Sequence, residues 1–277
     1  MIIFGGFGQL GKSLSYVFPE AVTYSHSTDD RKADITNFER LKEIFQMERP
    51  EIVINASAFT NVDACESEKD MAFSVNALGV RNIAVLCRHY SSKFIHFSTD
   101  YVFSGRKGLY SEDAVPDPIN YYGFSKSIGD AYALSLQSSI VIRTSGVYGY
   151  GKNFPMFVYN TLKAERIVKV IGGYYSPITS DLLARSVKYL IHHEPENSGI
   201  LNIAGERISK FDLARTIART FDLNQELIVE TEKLTNMKAL RPYDSSLDLS
   251  KARKIIDFDF YSEDANMRSF RIMLDSE

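Results

Sequence analysis

Tyr122 and Lys126 lie four residues apart in the segment YYGFSK, a spacing that puts both side chains on one face of a helix. A free tyrosine ionises near pH ~10 and is a poor proton partner near neutrality, whereas an ammonium one turn away favours the phenolate and is expected to lower that value. A Tyr and a Lys at this spacing are common on helix surfaces, so context decides. Upstream, STDYVFSG follows a strand-like run and offers the Ser98 and Thr99 hydroxyls to a carbonyl oxygen. Downstream, RTSGVYG follows the next such run. These pieces come in the order that a ketone-reducing site needs.

The segment GGFGQLGKS, Gly5 to Ser13, satisfies three glycine patterns at once: GxGxxG, GxxGxxG and GxxxxGKS. All three present backbone N–H groups and a helix N-terminus to a phosphate, with glycine where a Cβ would hold the anion away. A nucleoside-triphosphate site needs a second strand ending in an acidic residue that reaches Mg²⁺. The later strands end instead in INAS and IHFS. Small polar residues at strand ends suit the crevice of a dinucleotide fold, and Asn55, Ala56, Ser57, Ser98 and Thr99 fill that description.

The elements that must position these residues alternate strand with helix, the signature of a doubly wound, mainly parallel α/β sheet of Rossmann type. Strands are expected at Ile2–Phe4, Ala21–Tyr24, Ile52–Asn55, Phe94–Phe97, Ile140–Ile142 and Ile200–Ile203. Thr36 with Glu39 reads as a capping box ahead of a stripe of Phe38, Leu41, Ile44 and Phe45. From Met71, the residues Val75, Leu78, Ile83 and Leu86 recur at helical spacing. Beyond about residue 145, Gly, Tyr and Pro-rich loops mix with isolated helices, one of them capped by Ser209 and Asp212. Residues 1–145 with about 178–204 are therefore expected to form the dinucleotide-binding domain, and about 146–177 with 205–277 a small C-terminal lobe that takes the substrate.

The chain has 277 residues and a net charge of −3, without the basic block of a nucleic-acid binder. No apolar run approaches the roughly 18 residues of a membrane span and no signal-like start is present, so a cytoplasmic protein is expected, with no membrane or nucleic-acid partner. Cys65 and Cys87 fall in helical segments without metal-ligand spacing. The five histidines are scattered, and no metal site is expected. Asp63, Glu66, Glu68 and Asp70 read as a solvated helix N-terminus favoured by the macrodipole. Tyr148, Tyr150, Tyr174 and Tyr175 suit either ligand stacking or a core.

Together GGFGQLG, ADITN, INASAFTNVDACESE, FSVNALGVRNIA, FSTDYVFSG, PINYYGFSK, RTSGVYG and RPYDSSLD resemble the dTDP-4-dehydrorhamnose reductase family of extended short-chain dehydrogenase/reductases. The resemblance implies an NAD(P)H-dependent oxidoreductase of dTDP-rhamnose biosynthesis, reducing the C4 ketone of dTDP-4-dehydro-L-rhamnose to dTDP-L-rhamnose. Thr99, Tyr122 and Lys126 would be its catalytic triad. Gly5, Gly8 and Gly11, with Gln9 and Leu10, would form the pyrophosphate turn. Asp34 and Ile35 would lie beside the adenine, and Asn55, Ala56, Ser57 and Ser98 along the cofactor. Lys126 would also hold the nicotinamide ribose. Thr60, Val62, Tyr101 and Gly146 would join Thr99 against the sugar nucleotide.

Several positions depart from the family. Gly146 follows RTS where the family often has Trp, and the chain contains no Trp; Tyr148 or Tyr150 is the expected substitute. The family's DQxGxPT stretch is GGYYSPIT here, without the Asp-Gln pair. After the second strand, Ser25, His26, Ser27 and Arg31 suit a ribose 2′-phosphate, which favours NADPH with NADH as a second donor. A homodimer is the base-rate expectation for assembly. The competing functions are a non-catalytic NADP-binding regulatory subunit, similar to the methionine adenosyltransferase β subunit, and another extended-family enzyme such as an epimerase or dehydratase.

Overall fold

Five apolar runs open the sheet: β1 (Ile2–Phe4), β2 (Val22–Tyr24), β3 (Ile52–Asn55), β4 (Lys93–Phe97) and β5 (Ser139–Arg143). Four short strands follow, β6 (Val147–Tyr148), β7 (Val168–Ile171), β8 (Tyr174–Tyr175) and β9 (Ile178–Thr179), before β10 (Gly199–Asn202) returns to the sheet. The computed structural model describes residues 1–26, 31–194, 196–231 and 237–275. The six long-range strands order as β10-β5-β4-β3-β1-β2, and every neighbouring pair is parallel. Strands covered on both faces read as unbroken apolar runs, which is why their expected bounds hold to within a residue.

Helices cover both faces. On one side Leu14 and Val17 of α1 (Gln9–Val17) pack with Leu183, Val187 and Leu190 of α8 (Ser180–His193). On the other lie Leu41, Ile44 and Phe45 of α2 (Phe38–Glu48) and Ile83, Leu86 and Cys87 of α5 (Val80–Tyr90). The chain reverses direction across the sheet between β1 and β3, so the crevice at their carboxyl ends is the switch point where doubly wound folds bind ligands.

Two helix readings change in detail. Asn37, not Thr36, caps α2, its side chain accepting Arg40 N at 3.0 Å. Thr36 instead donates to Asp34 Oδ1, at 2.8 Å through its hydroxyl. The stripe beginning at Met71 is not one helix: α3 (Val62–Ser67) and α4 (Lys69–Phe73) precede a π-helical stretch, Ser74–Gly79, that leads into α5. The wider turn places buried Asn76 between loop and helix, where it accepts Phe59 N at 2.8 Å and donates to Ser125 Oγ at 3.1 Å.

Beyond β5, α7 (Phe154–Lys163), α9 (Lys210–Thr220) and α11 (Glu263–Asp275) enclose a third core with β7 and β12 (Ile228–Thr231), built on Val158, Leu162, Leu213, Ile217 and Phe270. Ser209 ends β11 (Ile208–Ser209) and caps α9 as its spacing predicts, accepting Asp212 N at 2.9 Å. α6 (Tyr121–Leu134) and α10 (Ala252–Ile255) complete the helices. No described helix is long and apolar enough to cross a membrane.

Candidate active site

The carboxyl ends of β1, β3, β4 and β5 open onto a cleft of about 1020 Å³ between the sheet and the C-terminal elements. Among the residues singled out in the sequence, Gly8, Gln9, Leu10, Ala56, Ser57, Thr60, Val62, Ser98, Thr99, Tyr101, Tyr122, Lys126 and Gly146 all line it. Gly5 turns with φ +81°, and a Cβ there would lie 2.7 Å from the Ser57 nitrogen; on Gly11 it would overlap the Gly5 carbonyl. Buried Asn55 accepts Ser57 N at 3.0 Å. Ile35 is packed against Gly79, and Asp34 holds Thr36. Ser25 N donates to Arg31 O at 3.1 Å beyond β2, with His26 exposed in the next turn. Ser27 lies outside the described residues.

At α1 the cap is Gly8, which has no side chain to satisfy the first N–H groups, and no acid stands in the first turn. Side chains cap α2, α3, α6, α7, α8 and α9. The open end of α1 therefore offers donors and a positive dipole end to an anion in the cleft. Among the described residues, Lys126, Lys152, Lys169, Lys210 and Arg241 line the same cleft against one carboxylate, Asp100.

Tyr122 sits in the first turn of α6, whose Asn120 cap accepts Gly123 N at 2.8 Å. Gly123 lets this turn pass close to the strand-end loop: a Cβ would overlap the Tyr101 carbonyl oxygen. The Tyr101 and Tyr122 rings meet edge to face at 6.0 Å. Burial pushes the Tyr122 phenol above its ordinary value; a hydrogen bond with Thr99 opposes this and the Asp100 charge adds to it. Lys126 is not among these leading influences, contrary to the expectation from spacing. The Lys126 Nζ donates instead to Phe97 O at 2.6 Å and lies 3.4 Å from His96 Nε2. Burial lowers the Lys126 pKa to about 8, with Asp130 pulling it back up.

Sequence reasoning passed over the groups behind this centre. His96 is fully buried inside β4, and Asp130, one turn beyond Lys126 on α6, accepts Ser98 Oγ at 2.6 Å. The i, i+4 spacing of Lys126 and Asp130 was the available signal. Asp100 is buried and accepts the Ser145 hydroxyl at 2.7 Å, Ser245 at 2.5 Å and Thr99 at 3.1 Å. Burial raises its pKa against those bonds. Asp100 thus ties two strand ends to the C-terminal segment.

Two further expectations are corrected. Asp63 and Glu66 are not merely solvated: Asp63 accepts Lys238 N and Ala239 N at 2.9 Å and pairs with Arg241 at 2.9 Å, while Glu66 accepts Tyr121 N at 2.8 Å. Neither Tyr148 nor Tyr150 takes the place expected of them. Tyr148 packs into the C-terminal core against Phe270, 5.3 Å between ring centres, and Tyr150 lies under Lys12. Tyr175 lines the cleft over Gly146, where a Cβ would stand 2.7 Å from the tyrosine Cε2.

The family profile described as "RmlD substrate binding domain" matches residues 1–269. A dTDP-4-dehydrorhamnose reductase of Aggregatibacter actinomycetemcomitans is 34% identical over 272 residues, covering 92% of each chain. The structure of a hypothetical dTDP-4-dehydrorhamnose reductase from Sulfolobus tokodaii superposes with a TM-score of 0.90 at 43% identity, over 96% of this chain and 98% of that one. The Bacillus anthracis dTDP-4-dehydrorhamnose reductase, in complex with NADP, does so with a TM-score of 0.89 at 32% identity, over 98% of both. With sequence and fold matching over nearly the whole length, the chain belongs to the dTDP-4-dehydrorhamnose reductase family, oxidoreductases of the extended short-chain dehydrogenase/reductase type.

Proposed function

We propose that this protein reduces the C4 ketone of a dTDP-linked sugar, dTDP-4-dehydro-L-rhamnose to dTDP-L-rhamnose, with NADPH as preferred hydride donor and NADH as a second. The observation that carries the reading is the convergence of Thr99, Tyr122 and Lys126 on one cleft at the switch point of the sheet. The uncapped end of α1 fits a pyrophosphate, and Arg31 and Lys32 beside the end of β2 suit a 2′-phosphate. The NADP held by the Bacillus anthracis relative supports the same choice. When bound, the nicotinamide supplies the hydride.

The protein's own part is to hold the ketone and deliver the proton. A phenol kept neutral by its surroundings is in the form a reductase needs, because Tyr122 must start protonated to give its proton to the C4 oxygen as negative charge develops there. Thr99 holds that oxygen, and the Lys126 charge favours the developing anion. Ala56, Ser57 and Ser98 flank the cofactor, while Thr60, Val62, Tyr101 and Gly146 belong to the substrate side. The C-terminal elements, with Lys152, Lys169, Lys210 and Arg241, form the lobe that closes on the nucleotide diphosphate.

The test is NADPH oxidation, followed by absorbance, with dTDP-4-dehydro-L-rhamnose generated in situ. Turnover is expected, and Tyr122→Phe should lose about 10²–10⁴-fold of it while still binding NADPH. An active Tyr122→Phe refutes the assigned proton donor. NADPH binding without oxidation by the intact protein refutes this substrate and turns the reading to a different sugar nucleotide or to the regulatory subunit. The reworked wall at Gly146 and Tyr175 favours one other reading, a different sugar nucleotide, which a panel of 4-ketosugars would reveal.

A further inference from the structure

Tyr175 is a cleft residue that the catalytic chemistry leaves without a task. Its backbone is fixed on two sides: β8 pairs antiparallel with β11, Tyr175 opposite Ile208, and the preceding Tyr174 N donates to Tyr243 O at 2.7 Å. The ring is 8% exposed and occupies the volume that any side chain at position 146 would need. Gly146 and Tyr175 are therefore one unit of shape, a small residue between β5 and β6 admitting a large one from β8.

The hydroxyl is the second observation. Tyr175 Oη is buried and makes no hydrogen bond to any described group. Leaving such a group unpaired is unfavourable, and native structures rarely do so. The side chain lines the cleft and lies within electrostatic reach of Tyr148, then of Tyr101 and Asp100, the two residues that follow Thr99. An oxygen of a ligand whose carbonyl sits at Thr99 and Tyr122 is thus in its neighbourhood. Lys210 Nζ stands 5.9 Å from the centre of the same ring, a cation–π contact that a phenylalanine ring would keep.

We propose that Tyr175 is a specificity-determining residue, its ring forming the wall over Gly146 and its hydroxyl hydrogen-bonding an oxygen of the substrate's sugar. This rests on the sugar-nucleotide reading above. A site built to pair with a hydroxyl discriminates strongly against ligands that lack it, so the residue contributes sugar selectivity rather than nucleotide affinity.

Tyr175→Phe keeps the ring and removes only the hydroxyl. Calorimetric titration of the NADPH-loaded protein with dTDP and with dTDP-L-rhamnose should give unchanged dTDP affinity and about tenfold weaker dTDP-L-rhamnose binding in the variant. KM for the ketosugar should rise by a similar factor with a smaller change in kcat. Equal affinity of wild type and Tyr175→Phe for dTDP-L-rhamnose, in an active wild type, overturns the assignment and leaves the reductase intact. A wild type that neither binds nor reduces dTDP-sugars overturns the underlying reading and the assignment with it. Gly146→Ala supplies the independent check: it should weaken dTDP-L-rhamnose binding when Tyr175 is present and have little effect in a Tyr175→Ala background, and equal effects in both would refute the shared wall.

Discussion

His96 Nε2 stands 3.4 Å from Lys126 Nζ, with both side chains buried behind the catalytic cleft. The imidazole's tautomer follows from Asn55, whose carbonyl oxygen is occupied by Ser57 N at 3.0 Å. Its amide nitrogen therefore faces His96 Nδ1, at 3.3 Å. Nδ1 accepts and Nε2 carries the proton, with Asp130 Oδ1 3.7 Å from that nitrogen. Burial and the Lys126 charge hold His96 well below its ordinary pKa, so it stays neutral. The same burial brings Lys126 down to about 8.

The rate should therefore depend on pH from the alkaline side. Lys126 is cationic below its pKa, and a reaction that develops negative charge beside it loses that help as pH rises through about 8. In a pH profile of kcat/KM, which reports groups of the free enzyme, the expected alkaline limb lies near that value rather than near the ordinary lysine range. A profile flat through this range would show that the lysine charge is not needed.

Asp130→Asn sharpens this test. The Asp130 charge is what raises the Lys126 pKa against burial, so removing it should shift the alkaline limb to lower pH. Asparagine can still accept the Ser98 hydroxyl that Asp130 Oδ2 takes at 2.6 Å, which preserves the local geometry. A limb that stays in place would mean that Asp130 serves only to anchor Ser98. Loss of rate without a shift of the limb would mean the same.

Gly123→Ala tests how closely the proton donor must be placed. The added methyl would overlap the Tyr101 carbonyl oxygen, so α6 must move away from the loop carrying Thr99. Displacement by about 1 Å can cost on the order of 100-fold in rate, and the loss should fall mainly on kcat. Unchanged kcat in a folded variant would show that the contact between α6 and that loop does not set the position of Tyr122.

Much of this arrangement was legible in the sequence because sheet strands and glycine turns are local signals. β1, β3 and β4 stand out as apolar runs, and Gly5, Gly8 and Gly11 mark one turn whose backbone must approach a strand and a helix closely. Tyr122 and Lys126 share a helix and so declare their own spacing. What their spacing did not reveal is the pull of Phe97 O on the ammonium, since that oxygen belongs to a strand end about thirty residues earlier in the chain. The π-helical stretch at Ser74–Gly79 was hidden for a different reason: one wide turn leaves the apolar stripe on either side helical in period. Tyr175 and Lys210 reach the cleft through folding of distant segments, and Tyr175 takes its place because Gly146 leaves room, a relation between a loop and a strand that no local pattern carries.

Asp63 governs a different property, the hold of the C-terminal segment on the cleft. Its carboxylate gathers Lys238 N, Ala239 N and Arg241, and Met237 and Arg241 of that segment line the cleft. Burial raises the Asp63 pKa, but the hydrogen bonds from Ala239, Arg241 and Lys238 outweigh it and hold the carboxyl below its ordinary value of 3.8. A depressed folded-state pKa contributes stability that is present above the unfolded value and is lost as pH falls through the folded one, so this clasp weakens only in strong acid. Asp63→Ala removes it at neutral pH. The loss of about 1–2 kcal/mol expected for charge-assisted bonds at a partly exposed site predicts a melting midpoint lower by a few degrees and a KM for the sugar nucleotide raised severalfold, with kcat little changed. If the melting midpoint falls and KM does not move, the segment is a structural clasp with no part in holding substrate.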